Sequence, residues 1–240
     1  VLGPITEINT TQEFLHFIEL WKTVPVYSFE FAHSTSVIPN VASKAKSKNH
    51  TVALAAFKKP SIVTISHLAI SFNTEFHSLP KSKDDMDFAK VMQTKNYLIS
   101  FEKSIQWKWA IPYVKSILES RHTSKICFAM KDIFTILLQD GIEIAPKIYD
   151  PKIAAWVADP GEEDKKKEST IEDVTKAHTP SWNVISTYKH PNEHICSKAK
   201  QAWLLMFYFQ RFLHMYDQVG FFEAVEMPIA RIIAQMEDYG

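Results

Sequence analysis

Cysteine is nearly absent: only Cys127 and Cys196 occur in 240 residues, each inside an apolar stretch. That excludes a disulfide framework and points to a reducing compartment, nucleus or cytosol. Neither sign of charge is in excess, since Lys+Arg and Asp+Glu both number 27 and the formal charge is zero. A protein that grips nucleic acid unaided carries a basic surplus, so any DNA contact here is local or belongs to another part of the molecule. No apolar run approaches the roughly 18 residues of a membrane span, so no membrane association is expected. The chain opens at Val1 without a signal-like segment and closes at Gly240 just after a helical pattern, so both ends read as cut from a longer protein. What is present is 46% hydrophobic, 12% aromatic and 22% charged residues. That composition excludes wholesale disorder and suffices for one sizeable core, or one domain with a helical appendage.

Thr10 and Glu13 have capping-box spacing, and Phe14, Phe17, Ile18 and Trp21 follow on one helical face, predicting a helix over Thr10 to Trp21. Val26 to Ala32 reads as a strand and His33 to His50 as a loop. Thr51–Phe57 and Ser61–Phe72 then read as further strands of a meander. From Asp84 the period changes. Asp84–Thr94 and Ser104–Ser120 read as helices, the second kinked or broken at Pro112. Ser124–Met130 reads as a strand, Asp132–Gln139 as a helix stopped by Gly141, and Ile142–Tyr149 as holding a short strand. Asp150-Pro151 opens a helix with Asp at the N-cap and Pro at the first helical position. Gly161–Glu168 is a charged turn, Ser169 with Glu172 offers a second capping box, and His178–Asn192 is irregular. Two helices, Glu193–Tyr216 and Phe221–Tyr239, close the chain. This alternation predicts an α/β fold.

Four segments, in order, carry a family resemblance: Phe17–Ala32 (ending YSFEFA), Ile126–Gly141 (ending LLQDG), Tyr149–Pro160 (YDPKIAAWVADP) and Phe222–Gly240 (FEAVEMPIARIIAQMEDYG). Together they resemble the exonuclease-like domain that precedes the polymerase proper in A-family DNA polymerases, of the theta type or, next, the nu type. Glu226-Met227-Pro228 and the amphipathic run after it resemble the junction where the thumb begins. The resemblance implies a ribonuclease-H-like 3′–5′ exonuclease fold, a mixed sheet flanked by helices. It places that domain at residues 1–225 and the start of the thumb helix at 226–240. It also implies a nuclear location, a C-terminal polymerase domain of the same protein as partner, and primer-template DNA reached through that parent.

Proofreading exonucleases of this kind bind two divalent cations, which requires several carboxylates to converge. In active members the first strand carries D-x-E, and residues i and i+2 of a strand point to one side. Aligned on YSFEFA, Glu30 falls at the Asp position and Ala32 at the Glu position. Counting back from Gly141 puts Ala129 and Ile133 where the family has Asn and Asp. Asp132 stands one residue off, a rotation of about 100° on a helix. For the Y-x-x-x-D motif, counting back from Glu226 places His194 near the Tyr and Lys198 near the Asp. One carboxylate of four remains, and a lysine repels metal ions, so no catalytic residue and no metal are assigned to this domain. It needs no cofactor of its own; magnesium belongs to the parent polymerase.

Other motifs have plainer readings. Glu30 reads as a strand glutamate with a local partner rather than a relic ligand. His190, His194 and Cys196 lack the ligand count of a structural zinc site. Gln201, Leu204, Phe207 and Tyr208 match the spacing of a sliding-clamp peptide but sit in an apolar helix, and so read as core. Trp107 and Trp109 read as divided between core and rim. Lys44, Lys46 and Lys48 are candidates for phosphate contact, as are Lys165–Lys167, although such runs are ordinarily solvated surface. The favoured expectation is an inactive exonuclease-like domain that acts as scaffold in a DNA repair polymerase of end joining or translesion synthesis. The alternatives are an active 3′–5′ exonuclease with a metal site rearranged around Glu30 and Asp132, and a partner-binding module that does not touch nucleic acid.

Overall fold

A computed structural model describes residues 3–37, 61–82, 87–102, 104–158, 170–179 and 191–239. Its centre is a six-stranded mixed sheet. The strands are β1 (Ile5–Ile8), β2 (Val26–Val37), β3 (Ser61–Phe72), β4 (Lys95–Ser100), β5 (Ser124–Ile126) and β6 (Ile148–Tyr149), in the spatial order β1-β4-β3-β2-β5-β6. β3 runs antiparallel to both of its neighbours, and every other pairing is parallel, so β3 alone is reversed.

The helix α1 (Thr11–Lys22) forms where its sequence predicts. Glu13 N–H donates to Thr10 Oγ1 at 3.2 Å, and Thr10 N–H donates to Glu13 Oε2 at 3.0 Å, closing the capping box. Its buried face (Phe14, Phe17, Ile18, Trp21) packs on one side of the sheet, with Trp21 edge-on to Tyr27. A four-residue helix, α2 (Phe88–Val91), is capped by Asp87. α3 (Trp107–Leu118) lies beside α1 and joins the same layer through Phe31–Trp107 and Phe14–Trp109 ring contacts. α4 (Met130–Gln139) ends at Asp140, and Gly141 follows with φ +69°, the left-handed turn that favours glycine. α5 (Pro151–Ala158) and α6 (Ile171–His178) flank the long α7 (Pro191–Met215), which lies across the opposite side of the sheet. A short α8 (Val219–Phe221) and a π-helical turn (Phe222–Glu226) lead into α9 (Met227–Tyr239). α9 rests on α4, with Arg231 bonded to Glu143 Oε1 at 2.6 Å and its guanidinium over the Phe134 ring. Among the described residues no helix is long and apolar enough to cross a membrane.

Several sequence expectations need correction. The first strand does not stop at Ala32 but continues through His33 to Val37, because β3 offers a full antiparallel partner down to Ser61. Among the described residues, the helix expected over Asp84–Thr94 covers Phe88–Val91; Lys95–Ser100 is a strand, enclosed between β1 and β3. Pro112 neither breaks α3 nor ends it: it sits on the exposed side of a continuous helix. A capping box closes on Thr170 and Asp173, one residue on from the spacing expected of Ser169 and Glu172, and Ser169 lies outside the described residues. Thr51–Phe57 and Gly161–Glu168 lie outside the described residues.

Candidate functional site

The site forms where β2 meets α7. Alternation along β2 sends Tyr27, Phe29 and Phe31 into the aromatic core beneath α1 and α3, and Ser28, Glu30 and Ala32 toward α7. The Ser28 hydroxyl lies within donating distance of two carbonyls, Ala199 at 2.7 Å and Ser71 at 3.1 Å. Two residues on, Ala32 packs against the small cluster of Ile195, Cys196, Ala199, Ala69 and Leu98. Glu30 is thus held between two anchor points on α7, at the level of Lys198.

The carboxyl of Glu30 is half-buried, and burial pushes it up to about 7. Lys198 opposes that shift; Glu172, Asp150 and Asp132 add to it by like-charge repulsion. Glu30 thus feels acidic groups from three other elements and one ammonium from α7. His194 stands one helical turn before Lys198, and its Nε2 lies 3.3 Å from Glu172 Oε1. Cys127, at the end of β5, is buried beside this group, and burial pushes its thiol well above the usual range, with Asp150 and Glu30 adding to the effect.

Asp150 is buried and structurally committed. Its Oδ1 accepts from Ala129 N–H at 3.1 Å and Lys152 N–H at 2.9 Å, and its Oδ2 from Met130 N–H at 2.8 Å. It caps α5, as the sequence implies, and also the start of α4, which the sequence does not reveal. Burial still pushes its carboxyl up to about 6, against the pull of those three N–H donors.

The positions assigned by motif spacing come together only in part. Glu30, His194 and Lys198 share the cluster. Ala129 is the N-cap of α4 with φ +52°, a left-handed conformation that strains an alanine, and its N–H is spent on Asp150. Ile133 is buried in the core, while its neighbour Asp132 is exposed yet within electrostatic reach of Glu30. Glu172 was missed by sequence reasoning as a site residue; a one-residue slip in the capping box frees it to turn toward His194. Lys44, Lys46, Lys48, Lys165–Lys167 and His190 lie outside the described residues.

Of the remaining candidates, those on α7 fall into or against the core, while Trp107 is partly buried and Trp109 lies exposed at its rim. Gln201, Leu204 and Phe207 are buried in α7, and Gln201 is bonded to Ser197 and Thr175. Cys196 is buried against Ala69 and Leu98. Trp107 donates from Nε1 to Asp140 Oδ2 at 2.7 Å, and Trp109 leans on Phe14 and Tyr113.

A two-cation nuclease centre needs several free carboxylates facing one point. Among the described residues no three His, Cys, Asp or Glu side chains converge in that way. Ala32, Ala129 and Ile133 offer no donor atom, both oxygens of Asp150 are occupied by backbone, and Lys198 brings a positive charge to Glu30. These residues do not fit such a centre.

The sheet order with its single reversed strand and the helices on both sides define a ribonuclease-H-like fold of the kind found in 3′–5′ exonucleases. Solved structures share it. The POL domain of Pol1 from M. smegmatis, in complex with DNA primer-template and dNTP, is 12% identical with a TM-score of 0.62, over 99% of this chain and 32% of that one. The catalytic core of RRP6 from Trypanosoma brucei is 9% identical with a TM-score of 0.60, over 96% and 52%. Escherichia coli RNase D, an exoribonuclease involved in structured RNA processing, is 13% identical with a TM-score of 0.55, over 97% and 51%. The chain thus spans about a third of the polymerase chain and half of the RRP6 and RNase D chains. No family model and no curated protein sequence matches it.

Proposed function

We propose that this chain is the inactive exonuclease-like domain of a nuclear A-family DNA repair polymerase, theta-type or else nu-type, working in end joining or translesion synthesis. The observation that carries the reading is that Ala32, Ala129 and Ile133 stand where a metal-binding site would need further donor groups beside Glu30, and none of them offers one. The domain then needs no metal of its own, and magnesium serves the parent's polymerase domain.

In this reading residues 226–240 open the thumb and the domain is a scaffold for the C-terminal polymerase domain, which holds primer-template DNA. The distribution of apolar surface supports it. Trp156, Tyr216, Phe221, Val225, Ile229, Ile232, Ile233 and Met236 are all exposed, on α5, the end of α7, α8, the π-helical turn and α9. Free-standing domains seldom leave so many large apolar side chains uncovered together. Any direct DNA contact falls to Lys44, Lys46 and Lys48.

The test is release of nucleotides from 3′-labelled single-stranded DNA and RNA in magnesium or manganese. No release above background is expected. Release that Glu30→Ala abolishes would establish an active nuclease instead. DNA affinity measured against salt adds a second check: a steep slope fits contact through the lysines, and a flat, negligible response fits a partner-binding module that leaves nucleic acid alone.

A further inference from the structure

The uncovered apolar surface is not uniform. On α9 it is aliphatic, formed by Ile229, Ile232, Ile233 and Met236. At its other end α5, the end of α7 and α8 enclose a cleft of about 320 Å³, lined by Trp156, Val157, Ala158, Tyr216, Gln218 and Phe221. We infer that this cleft receives a cationic side chain, an arginine carried by a basic segment of the C-terminal polymerase domain. This rests on the reading that such a domain packs against this surface.

The walls, the charge and the backbone of the cleft all point to that guest. Three aromatic residues line it and stay exposed, Trp156 at 56%, Tyr216 at 57% and Phe221 at 43%. Ring faces are the negative pole of the aromatic quadrupole, and a guanidinium, flat and weakly hydrated, stacks on them. From Phe212 to Ala230 the chain holds Asp217, Glu223 and Glu226 and neither lysine nor arginine. Asp217 stands between the lining residues Tyr216 and Gln218, and Glu223 two residues beyond Phe221. Of the neighbouring bases, Lys152 lies over the Phe128 ring and Arg231 is bonded to Glu143. No cation lines the cleft to meet a phosphate, so it does not suit nucleic acid. The backbone holds the rim in place: Gln218 N–H donates to the Leu213 carbonyl at 2.7 Å and Asp217 has φ +55°, so α7 ends in a left-handed turn. Tyr216 stacks on Phe212 with 6.5 Å between ring centroids. Gln218 Nε2 donates to the Tyr216 carbonyl at 3.3 Å, which leaves Gln218 Oε1 to accept from the guest.

The probe is a dye-labelled, end-blocked octapeptide of alternating glycine and arginine, with its binding to this chain followed by fluorescence anisotropy at low salt. Trp156→Ala or Tyr216→Ala is expected to weaken binding about tenfold, the size of a lost cation–ring contact. Asp217→Asn keeps a residue that tolerates the left-handed turn and removes only the charge, and should weaken it about threefold. The matching lysine peptide should bind more weakly than the arginine one. The matching leucine peptide and a thymidine octamer should show no binding that depends on Trp156. In the parent protein, with its polymerase domain in place, the arginine peptide should no longer bind, because the cleft is already filled.

Arginine binding unmoved by Trp156→Ala and Asp217→Asn would overturn the inference. So would a lysine or leucine peptide, or the thymidine octamer, bound as tightly through Trp156. A dimer in sedimentation that Trp156→Ala dissolves would put a second copy in the cleft instead, and a parent protein that still binds the peptide would rule out the polymerase domain as occupant. If Trp156→Ala does not fold, Asp217→Asn decides: weakened binding supports the cleft, and unchanged binding removes it. Nucleotide release in the nuclease assay would sink the functional reading and leave the peptide titration as it stands, so the two failures are distinguishable.

Discussion

The two sides of β2 are built from alternate residues of one six-residue stretch, Tyr27 to Ala32, and hold the molecule together by different physics. Tyr27, Phe29 and Phe31 stack edge to edge into a dry aromatic core under α1 and α3. Ser28, Glu30 and Ala32 meet α7 through a hydroxyl, a carboxyl and a methyl. Dispersion and burial are insensitive to pH and partner identity, whereas the α7 side depends on charge balance and hydrogen-bond geometry. The aromatic side carries stability. The α7 side carries whatever chemistry the fold retains.

The sharpest way to break this contrast is to empty the aromatic side. Phe29→Ala is expected to cost about 3–5 kcal/mol by denaturant melt, the usual penalty for a fully buried phenylalanine. A cost below that of any substitution on the α7 side would erase the distinction. Asp150→Ala comes next, at about 3 kcal/mol, because it strands the Ala129, Met130 and Lys152 N–H groups at two helix starts. Its signature should be lost protection of those amides in hydrogen exchange, with the β2 amides unaffected.

The third effect is a matter of sign. Glu30 has its folded-state pKa raised from 4.5 to about 7, so the folded state favours the protonated acid. Its contribution is present in full below pH 4.5 and is lost as pH rises through 7. Asp150, raised from 3.8 to about 6, acts in the same direction over a lower window. Glu30→Gln should therefore gain on the wild type in Tm between pH 4.5 and 7, and a parallel pair of curves would refute the assignment. The smallest expected change is Ile232→Ser, on the exposed side of α9, within about 0.5 kcal/mol of wild type in this chain alone. A large loss there would mean that α9 is already covered.

The parts of the fold that follow local rules were legible. Thr10 and Glu13 predict α1, Gly141 ends α4, and Asp150-Pro151 opens α5, because caps and left-handed turns are written in adjacent residues. β4 was not legible. Asn96, Leu98 and Ile99 are buried, and a strand enclosed on both sides shows no alternation to read. The site was legible to the extent that spacing is. Counting from Glu226 reached His194 and Lys198, counting from Gly141 reached Ala129 and Ile133, and YSFEFA gave Glu30. Glu172 and the second role of Asp150 depend on helices brought together by the fold, and no local pattern announces either one.

Asp150 has a mechanical consequence. One buried carboxylate grips the first turns of two helices that are separated by a loop and a strand. Neither helix can fray at its start without loosening the other, so α4 and α5 form a single cooperative opening unit. Because α9 sits on α4 and α5 borders α7, a pull on the chain's last helix would be transmitted as a rigid displacement, not dissipated by local unravelling.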